Sequence, residues 1–279
     1  MNSESSASRT LRVAAVQMVS TARVEANLET AAGLIAEAAA SGARLIALPE
    51  YFCLMGIKDT DKVAVREALG SGPIQDFLVA QARRHRIWLV GGTLPLEAPE
   101  KDRVLNTTLV FDPQGERVAR YDKVHLFRFT RGMESYDEAA TIAPGGAVST
   151  FSLEPVGGPA LKVGLSVCYD LRFPELYRAM ERPDLILVPA AFTATTGRAH
   201  WEVLLRARAI ENLAYVLAPA QGGRHENGRA TFGHSMLIDP WGEVIANRPE
   251  GAGVVFGDID PQVIARCRSS LPALTHRVM

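Results

Sequence analysis

The sequence predicts an α/β fold in which helices cover two packed β-sheets. Short β-branched runs alternate with longer segments of helical spacing, which is typical of β-α-β units with parallel, buried strands. The two halves of the chain repeat one order, β-α-β-α-β and then a hairpin, and no linker rich in Gly, Ser or Pro separates them. We therefore predict one domain over residues 11–279, with an internal pseudo-duplication, behind a disordered N-terminus at residues 1–10.

Local signals define the elements of the first half. A Gly-Pro pair opens the second helix, because proline is favoured in a first helical turn. Asp112-Pro113-Gln114-Gly115 predicts a hairpin turn, since proline presets φ and glycine supplies a positive φ. The predicted elements are a strand at 11–17, a helix at 24–40, a strand at 44–48, a helix at 73–85, a strand at 87–90 and hairpin strands at 105–111 and 116–121.

The second half follows the same order. It predicts a strand at 161–167, a helix at 174–180, a strand at 185–188, a helix at 199–212, a strand at 215–218 and a second hairpin at Asp239-Pro240-Trp241-Gly242. A last helix is predicted at 261–270, followed by an extended tail. This shared order is the basis for the predicted pseudo-duplication.

Composition and charge exclude several classes of protein. The chain has 279 residues, 47% of them apolar and 22% charged, so it resembles an average globular protein and can bury a large core. Its 30 Lys and Arg residues are balanced by 31 Asp and Glu residues, which leaves no charge excess for a nucleic-acid backbone or an anionic membrane. We expect a small-molecule ligand, with no nucleic-acid or membrane partner.

The N-terminus and the cysteines indicate a compartment. The first residues lack the apolar core of a signal peptide, and no apolar run reaches the roughly 18 residues that a bilayer span requires. The three cysteines, Cys53, Cys168 and Cys267, form no C-x-x-C pair and have no histidine spaced for a zinc site. We predict a cytoplasmic protein with reduced thiols, without a metal and without a cofactor.

Cys168 is the candidate nucleophile. In GLSVCYDLRFPE, residues 164–175, a buried strand ends at this cysteine and Pro174 marks the start of a helix. A thiol at the carboxyl end of a strand lies where α/β sheets bind ligands, and a nearby helix N-terminus lowers its pKa. The alternative is a buried structural cysteine, and the local context alone does not decide between the two.

A nucleophilic cysteine needs a base and a group that stabilises an oxyanion. Glu50 follows an apolar strand in LIALPE, and apolar surroundings raise a carboxylate pKa toward that of a general base. Lys123, in YDKVHLF, offers a positive charge for a thiolate or an oxyanion. Taken singly, each is more typical of a solvated position, so these residues gain weight only together with the cysteine.

Together the three segments resemble a known family. Glu50 in LPEYF, Lys123 in YDKVHLF and Cys168 in GLSVCYDLRFPE are similar to the Glu-Lys-Cys triad of the nitrilase, or carbon-nitrogen hydrolase, superfamily. The resemblance extends from about Leu11 to His276 with the motifs in the family's order. It implies a single-domain, four-layer α-β-β-α sandwich that forms homodimers or larger homo-oligomers.

The resemblance also implies a mechanism. Glu50 takes the Cys168 proton, the thiolate attacks an amide carbonyl to form a thioester, and Glu50 then protonates the leaving amine and activates water. Lys123 and the backbone N–H of Tyr169 would form the oxyanion hole. Glu134, in GMES, matches a second glutamate that members of the superfamily place beside the lysine and the substrate.

Further segments resemble the Nit branch of the superfamily, whose members hydrolyse amides of 2-oxo acids. They are CYDLRFPE at 168–175 and AHWEVLLRARAIE at 199–211. APAQGGRH at 218–225 is similar to branch members that release 2-oxoglutarate and cysteinylglycine from deaminated glutathione. The alternatives are an ω-amidase acting on 2-oxoglutaramate, an N-carbamoyl or aliphatic amidohydrolase, and a triad-bearing protein that mainly binds a partner.

A substrate that carries a 2-oxo acid also needs a cation for its carboxylate. Arg172, which follows the predicted nucleophile closely, is the candidate for this role. A salt bridge from Arg172 to Asp170 or Glu175 is an equally supported alternative, and the sequence leaves the choice open.

Overall fold

The computed structural model describes residues 10–132, 134–154 and 158–278. The segment predicted to be disordered, residues 1–10, therefore lies outside the described residues except for Thr10. Met133, within the GMES motif, also lies outside them. None of the helices in the described ranges combines the length and apolar character that a membrane span requires.

The first half forms the expected units, and a connecting segment follows it. Its elements are β1 (Leu11–Gln17), α1 (Val24–Ala40), β2 (Leu45–Ala47), α2 (Asp61–Ala64), α3 (Pro73–His85), β3 (Trp88–Val90), β4 (Leu94–Glu97), β5 (Val104–Phe111) and β6 (Arg117–Asp122). The connecting segment contains a hairpin of β7 (Arg128–Arg131) and β8 (Glu134–Asp137), a 3-10 turn at Glu138–Ala140 and β9 (Ile142–Ala143).

The second half repeats the pattern and ends on one more strand and helix. Its elements are β10 (Thr150–Leu153), β11 (Leu161–Leu165), a 3-10 turn at Cys168–Arg172, α4 (Pro174–Ala179), β12 (Leu185–Leu187), α5 (Ala194–Asn212), β13 (Tyr215–Ala218), β14 (Ser235–Ile238), β15 (Val244–Arg248), β16 (Gly253–Ile259), α6 (Pro261–Ser270) and a 3-10 turn at Ala273–Thr275.

The two large sheets share one strand order. The first runs β16-β1-β2-β3-β5, with β4, β6 and β9 also paired to β5, and the second runs β10-β11-β12-β13-β14-β15. In each sheet three central strands are parallel and are flanked by antiparallel neighbours. The repeat predicted from the sequence is therefore present in the topology. The C-terminal strand β16 borders the first sheet as β10 borders the second.

The hydrophobic core consists of two clusters, and successive residues of a strand belong to them alternately. In β1, Val13 and Ala15 belong to the cluster between the two sheets, whereas Ala14 and Val16 belong to the cluster beneath α1 and α3. All four side chains are fully buried. Successive residues of a strand point to opposite faces, so a strand buried on both faces reads as a continuous apolar run. The layers are thus helix, sheet, sheet and helix, as the sequence predicted.

The predicted helices and strands are confirmed with small shifts at their ends, and the largest shift is in α5. This helix begins at Ala194 rather than at residue 199, because the Thr193 side chain caps it by accepting a hydrogen bond from the Thr196 N–H. The tail after α6 was predicted to be extended, but it contains the 3-10 turn at Ala273–Thr275. The hairpin β7–β8 was not predicted. Its residues are mostly half-buried or exposed, so they lack the apolar alternation by which strands are recognised.

Candidate active site

The ends of three strands bring Glu50, Lys123 and Cys168 together. Glu50 follows β2, Lys123 follows β6 directly, and Cys168 follows β11. The first two residues come from one sheet and the cysteine comes from the other, so the site lies where the two halves of the chain meet. Gly92 makes room for the Glu50 turn, since a Cβ on this residue would lie 2.2 Å from the Pro49 carbonyl oxygen.

Hydrogen bonds hold the three side chains in a buried cluster. Lys123 Nζ lies 2.8 Å from Glu50 Oε1, and the two side chains are 0% and 1% exposed. Glu50 also accepts hydrogen bonds from the Asn106 side chain and the Ala191 N–H, each at 2.9 Å. Cys168 lines the same cavity as Glu50, and its thiol lowers the pKa of that carboxyl. The residues predicted as a triad are therefore brought together in one cluster.

Glu138 is the second carboxylate beside the lysine. Its two oxygens lie 2.9 and 2.8 Å from Lys123 Nζ. The Tyr51 hydroxyl donates to Glu138 at 2.8 Å and the Phe127 N–H at 2.7 Å. Glu138 belongs to the 3-10 turn that follows the β7–β8 hairpin, so this turn brings the chain back to Lys123.

Glu134, the residue for which the sequence predicted this position, lies elsewhere. It stands at the start of β8, where its Oε1 accepts a hydrogen bond from the Thr195 hydroxyl at 2.9 Å. The expected location beside Lys123 is thus corrected from Glu134 to Glu138. The sequence predicted no element between the return strand at 116–121 and the strand at 161–167, so it did not indicate where the chain comes back to the lysine.

The two carboxylates on Lys123 differ in their affinity for a proton. Burial raises the pKa of Glu50, and the charge of Lys123 opposes this only in part. Burial acts in the same direction on Glu138, but the charge of Lys123 and hydrogen bonds from Lys123, Phe127 and Tyr51 lower its pKa below the ordinary value. Glu138 therefore stays ionised, and Glu50 is the carboxylate that is able to take up a proton.

The lysine remains charged in spite of its burial. Desolvation by itself lowers the pKa of Lys123, but the charges of Glu138 and Glu50 raise it well above the ordinary value. The side chain is fully buried and its three donors face carboxylate oxygens of these two residues. Lys123 is thus a permanent cation at the centre of the cluster.

The resting thiol is protonated. Burial raises the pKa of Cys168 well above its usual value, and the negative charge of Glu50 raises it further. The expectation that a helix N-terminus lowers this pKa is wrong for the resting state, because desolvation dominates and α4 begins only at Pro174. Transfer of the proton from sulfur to Glu50 keeps the net charge of the cluster constant, which removes much of the penalty of forming a buried thiolate.

Asp170 connects the lysine-bearing segment to the nucleophile turn. Its buried carboxylate accepts hydrogen bonds from the Tyr121 hydroxyl at 2.7 Å and from the Val167 N–H at 2.8 Å. The His125 N–H and Nδ1 lie 3.0 and 2.7 Å away. Cys168 itself has a φ of +50°, a conformation that few non-glycine residues adopt. The contacts of Asp170 hold this strained turn against the end of β6.

Arg172 stacks on the residues that line the cavity. Its guanidinium carbon lies 5.8 Å from the ring centroid of Tyr169 and 5.7 Å from that of Phe192. Its polar partner within the described residues is His200 Nδ1, at 3.2 Å, rather than Asp170 or Glu175. The role of Arg172 toward a substrate carboxylate stays a prediction, as does the role of the Tyr169 N–H in an oxyanion hole.

A cavity opens onto Glu50 and Cys168. Much of its wall is aromatic, and the wall also contains charged residues that the sequence did not identify as site residues. The aromatic residues are Tyr51, Phe127, Tyr136, Tyr169 and Phe192, and the additional charged residues are Asp59, Lys62, Asp137 and Arg229. The sequence did not predict these charged residues as part of the site, because they belong to no recognised motif and come together only in the folded chain.

The segment 218–225 forms hydrogen bonds that hold the Glu50 backbone and one wall of the cavity in place. Gln221 Nε2 donates to the Glu50 carbonyl oxygen at 3.0 Å and to the Ser20 hydroxyl at 2.7 Å. The two ring nitrogens of His225 lie 2.9 Å from the Ser20 carbonyl oxygen and 2.8 Å from the Thr231 hydroxyl. Thr231 lines the cavity. The segment thus fixes the backbone of the base and one wall residue.

The carbon-nitrogen hydrolase family model matches residues 12–269. A deaminated glutathione amidase from Synechocystis sp. is 42% identical over 270 residues, which cover 95% of this chain and 97% of the relative. The deaminated glutathione amidase of Homo sapiens is 39% identical over 95% of this chain and 81% of its own length.

The solved structures include a similar fold. The crystal structure of Saccharomyces cerevisiae Nit3, a member of branch 10 of the nitrilase superfamily, has a TM-score of 0.83 and 31% sequence identity. The match covers 94% of this chain and 94% of that one. The likeness therefore extends across the whole sandwich.

Proposed function

This chain belongs to the carbon-nitrogen hydrolase family, and from that premise we propose that it is an amidase that hydrolyses deaminated glutathione to 2-oxoglutarate and cysteinylglycine. The observation that carries the proposal is the buried cluster of Glu50, Lys123 and Cys168 at the bottom of the cavity. The names of the Synechocystis and human relatives support the choice of substrate. The family hydrolyses carbon-nitrogen bonds, so the reaction is cleavage of an amide other than a peptide bond.

The first step forms the thioester. Glu50 accepts the proton of Cys168 while sulfur attacks the amide carbonyl, and the negative charge moves from the carboxylate to sulfur and then to the carbonyl oxygen. The tetrahedral intermediate collapses when Glu50 returns the proton to the nitrogen. The C–N bond breaks, cysteinylglycine leaves as the amine, and the 2-oxoglutaryl group stays on Cys168.

The second step releases the acid. Water enters in place of the amine, Glu50 removes its proton, and hydroxide adds to the thioester carbonyl. Collapse of this second intermediate breaks the C–S bond, and the proton on Glu50 passes to the sulfur. A carboxyl group with a raised pKa suits both directions of transfer, because it holds and releases the proton near neutral pH.

In this scheme Lys123 stabilises the oxyanion by exchanging its hydrogen bond to Glu50 for one to the oxyanion. In the resting cluster its donors face Glu50 and Glu138. When Glu50 becomes protonated, its attraction for the ammonium falls, so one donor is free to turn toward the new negative charge. The Tyr169 N–H supplies the second donor. A donor that is already in place, as a backbone N–H is, contributes roughly 3–4 kcal/mol to transition-state stabilisation.

A comparison of substrates tests the proposed function. The measurement is kcat/KM for 2-oxoglutarate release from deaminated glutathione and from 2-oxoglutaramate, with Cys168→Ala as the blank. We expect a strong preference for deaminated glutathione. A preference for 2-oxoglutaramate would make the protein an ω-amidase, and turnover of neither would direct the search to N-carbamoyl and other aliphatic amides.

We also propose that the protein is a cytoplasmic homodimer or larger homo-oligomer. The free thiols Cys53, Cys168 and Cys267 suit a reducing compartment. Exposed apolar side chains on α5, with Val203 68% and Ile210 45% exposed, are suited to a subunit contact. Light scattering after gel filtration tests the assembly, and cell fractionation tests the compartment. A monomeric mass would contradict the first proposal.

A further inference from the structure

Two cations line the catalytic cavity, and their partners differ. Arg229 Nη2 lies 2.6 Å from Asp59 Oδ1, and its guanidinium carbon is 5.1 Å from the Tyr136 ring centroid. Both members of this ion pair are partly exposed, at 32% and 52% of their side chains. Arg229 is therefore compensated before any ligand arrives.

Lys62 has a different environment. Its Nζ donates to the Thr141 hydroxyl at 3.3 Å and lies 5.7 Å from the Tyr51 ring centroid. Within the described parts of the chain, no carboxylate oxygen lies within 4.0 Å of this ammonium. An ammonium carries three donors, so Lys62 has the capacity to bind more than its single hydroxyl partner.

The surroundings of Lys62 make an incoming anion favourable. Burial lowers the pKa of Lys62, and the charges of Asp59 and Glu138 oppose this only in part. A partly desolvated cation without a bonded carboxylate is a costly arrangement in the free protein. A carboxylate bound there would supply the missing charge partner and accept the remaining donors.

Lys62 lies on the closed side of the cavity. Besides the main cavity it lines a second, smaller pocket, together with Tyr51 and the buried residues Asn106 and Ile142. The Arg229–Asp59 pair, which is more exposed, marks the open side. In a thioester mechanism the acyl half of the substrate stays while the amine departs and water enters, so the acyl half must occupy the closed side.

We propose that Lys62, oriented by Thr141, binds the carboxylate of the acyl half of the substrate and thereby selects amides of 2-oxo acids. The inference deepens the proposed function and rests on it. It places the anion-binding role on Lys62 of the helix α2 rather than on Arg172. Tyr51 links the two tasks, because its ring faces Lys62 and its hydroxyl holds Glu138.

The test uses Lys62→Met, which keeps the length of the side chain and removes its charge, and Lys62→Arg, which restores the charge. Lys58→Met is the matched control, since Lys58 is an exposed lysine just before the helix α2 that carries Lys62. Each variant is assayed with 2-oxoglutaramate, with deaminated glutathione and with pentanamide, an uncharged amide of equal acyl length. Inhibition of pentanamide hydrolysis by 2-oxoglutarate supplies a readout that needs no turnover of a 2-oxo amide.

We expect Lys62→Met to lower the ratio of kcat/KM for each 2-oxo amide to that for pentanamide by about tenfold or more, which corresponds to ~1.4 kcal/mol. The loss should fall on KM, and the inhibition constant of 2-oxoglutarate should rise by a similar factor. Lys62→Arg should recover most of the ratio, and Lys58→Met should leave it as in the wild type. Lys62→Gln takes the place of Lys62→Met if the methionine variant does not fold.

Three results would overturn the inference. Equal losses on all three substrates would show that Lys62 is structural, and a loss confined to deaminated glutathione would place it on the amine half. An increase of the inhibition constant in Arg172→Ala, but not in Lys62→Met, would return the role to Arg172. Failure of the proposed function is seen separately, as absence of deaminated glutathione turnover in the wild type, and the inhibition assay still tests Lys62 in that case.

Discussion

The floor of the catalytic cavity and its mouth are built in opposite ways. The floor residues Glu50, Lys123 and Cys168 are at most 7% exposed and follow strand ends of the two sheets. At the mouth, Asp59 and Arg229 come from loops and expose 52% and 32% of their side chains. The floor is therefore a rigid, desolvated set of charges, whereas the mouth is an adaptable surface.

The difference separates residues on which catalysis depends strongly from residues on which it depends little. In the desolvated floor, a small displacement or the loss of one charge has a large effect on activity. The local dielectric is low, so charges interact strongly and a polar group that loses its hydrogen-bond partner stays unpaired. At the mouth, water screens the charges and replaces lost contacts. Substitutions in the floor should therefore lower activity more than substitutions at the mouth.

The largest effect is expected for Cys168→Ala. Without the sulfur no thioester forms, so kcat should fall by about 10³-fold or more, as for nucleophiles of other covalent hydrolases. The measurement is initial rate with the preferred amide, and an unchanged melting temperature shows that the fold is retained. Residual activity within tenfold of the wild type would contradict covalent catalysis.

Glu50→Gln should rank next and sharpen the assignment of the base. Glutamine keeps the shape and the hydrogen bond to Ala191 but accepts no proton, so kcat should fall by about 10²-fold or more. Mass spectrometry of the quenched reaction should show less acyl-enzyme than in the wild type. A change within a few-fold of the wild type would remove Glu50 from the proposed mechanism.

The paired variants Glu138→Gln and Glu134→Gln distinguish the floor from its surroundings. Loss of the Glu138 charge releases one side of Lys123, and a misplaced catalytic group costs about 10²-fold in rate. Glu134 contacts Thr195 instead, so its variant should stay within about threefold of the wild type, a typical surface effect. The reverse ranking would restore Glu134 to the site.

The pH dependence tests the electrostatics of the floor. Glu50 must be ionised to accept the thiol proton, and burial raises its pKa, so kcat/KM should fall with decreasing pH at a value above the ordinary 4.5. The negative charge of Glu138 contributes to that increase. Glu138→Gln should therefore move the acid limb to lower pH, and an unmoved limb would show that another group controls it.

The smallest effect is expected at the mouth, for Arg229→Gln. The exposed ion pair with Asp59 is worth roughly 0.2–1 kcal/mol, so KM should rise by only a few-fold and kcat should change little. The measurement is a full saturation curve at low and at high salt, with Asp59→Asn as the companion variant. A loss of kcat as large as that of a floor variant would break the comparison.

Much of the fold was predictable because its signals are local. The apolar run 11–17, the Gly-Pro start of α3 and the Asp-Pro-x-Gly turns each define an element within a few residues. The β7–β8 hairpin and the early start of α5 were not predicted, since the first lacks apolar alternation and the second depends on a Thr193 cap in the folded chain.

For the site, the sequence alone determined the candidate residues Glu50, Lys123 and Cys168 and the family, because each residue follows a predicted strand within a recognisable motif. The tertiary structure decided that Glu138 rather than Glu134 pairs with the lysine, that the resting thiol is protonated, and that Lys62 faces the cavity. The physical reason is range. Strand and turn signals act over a few neighbours, whereas desolvation and ion pairing depend on groups that are distant in the chain and adjacent only after folding.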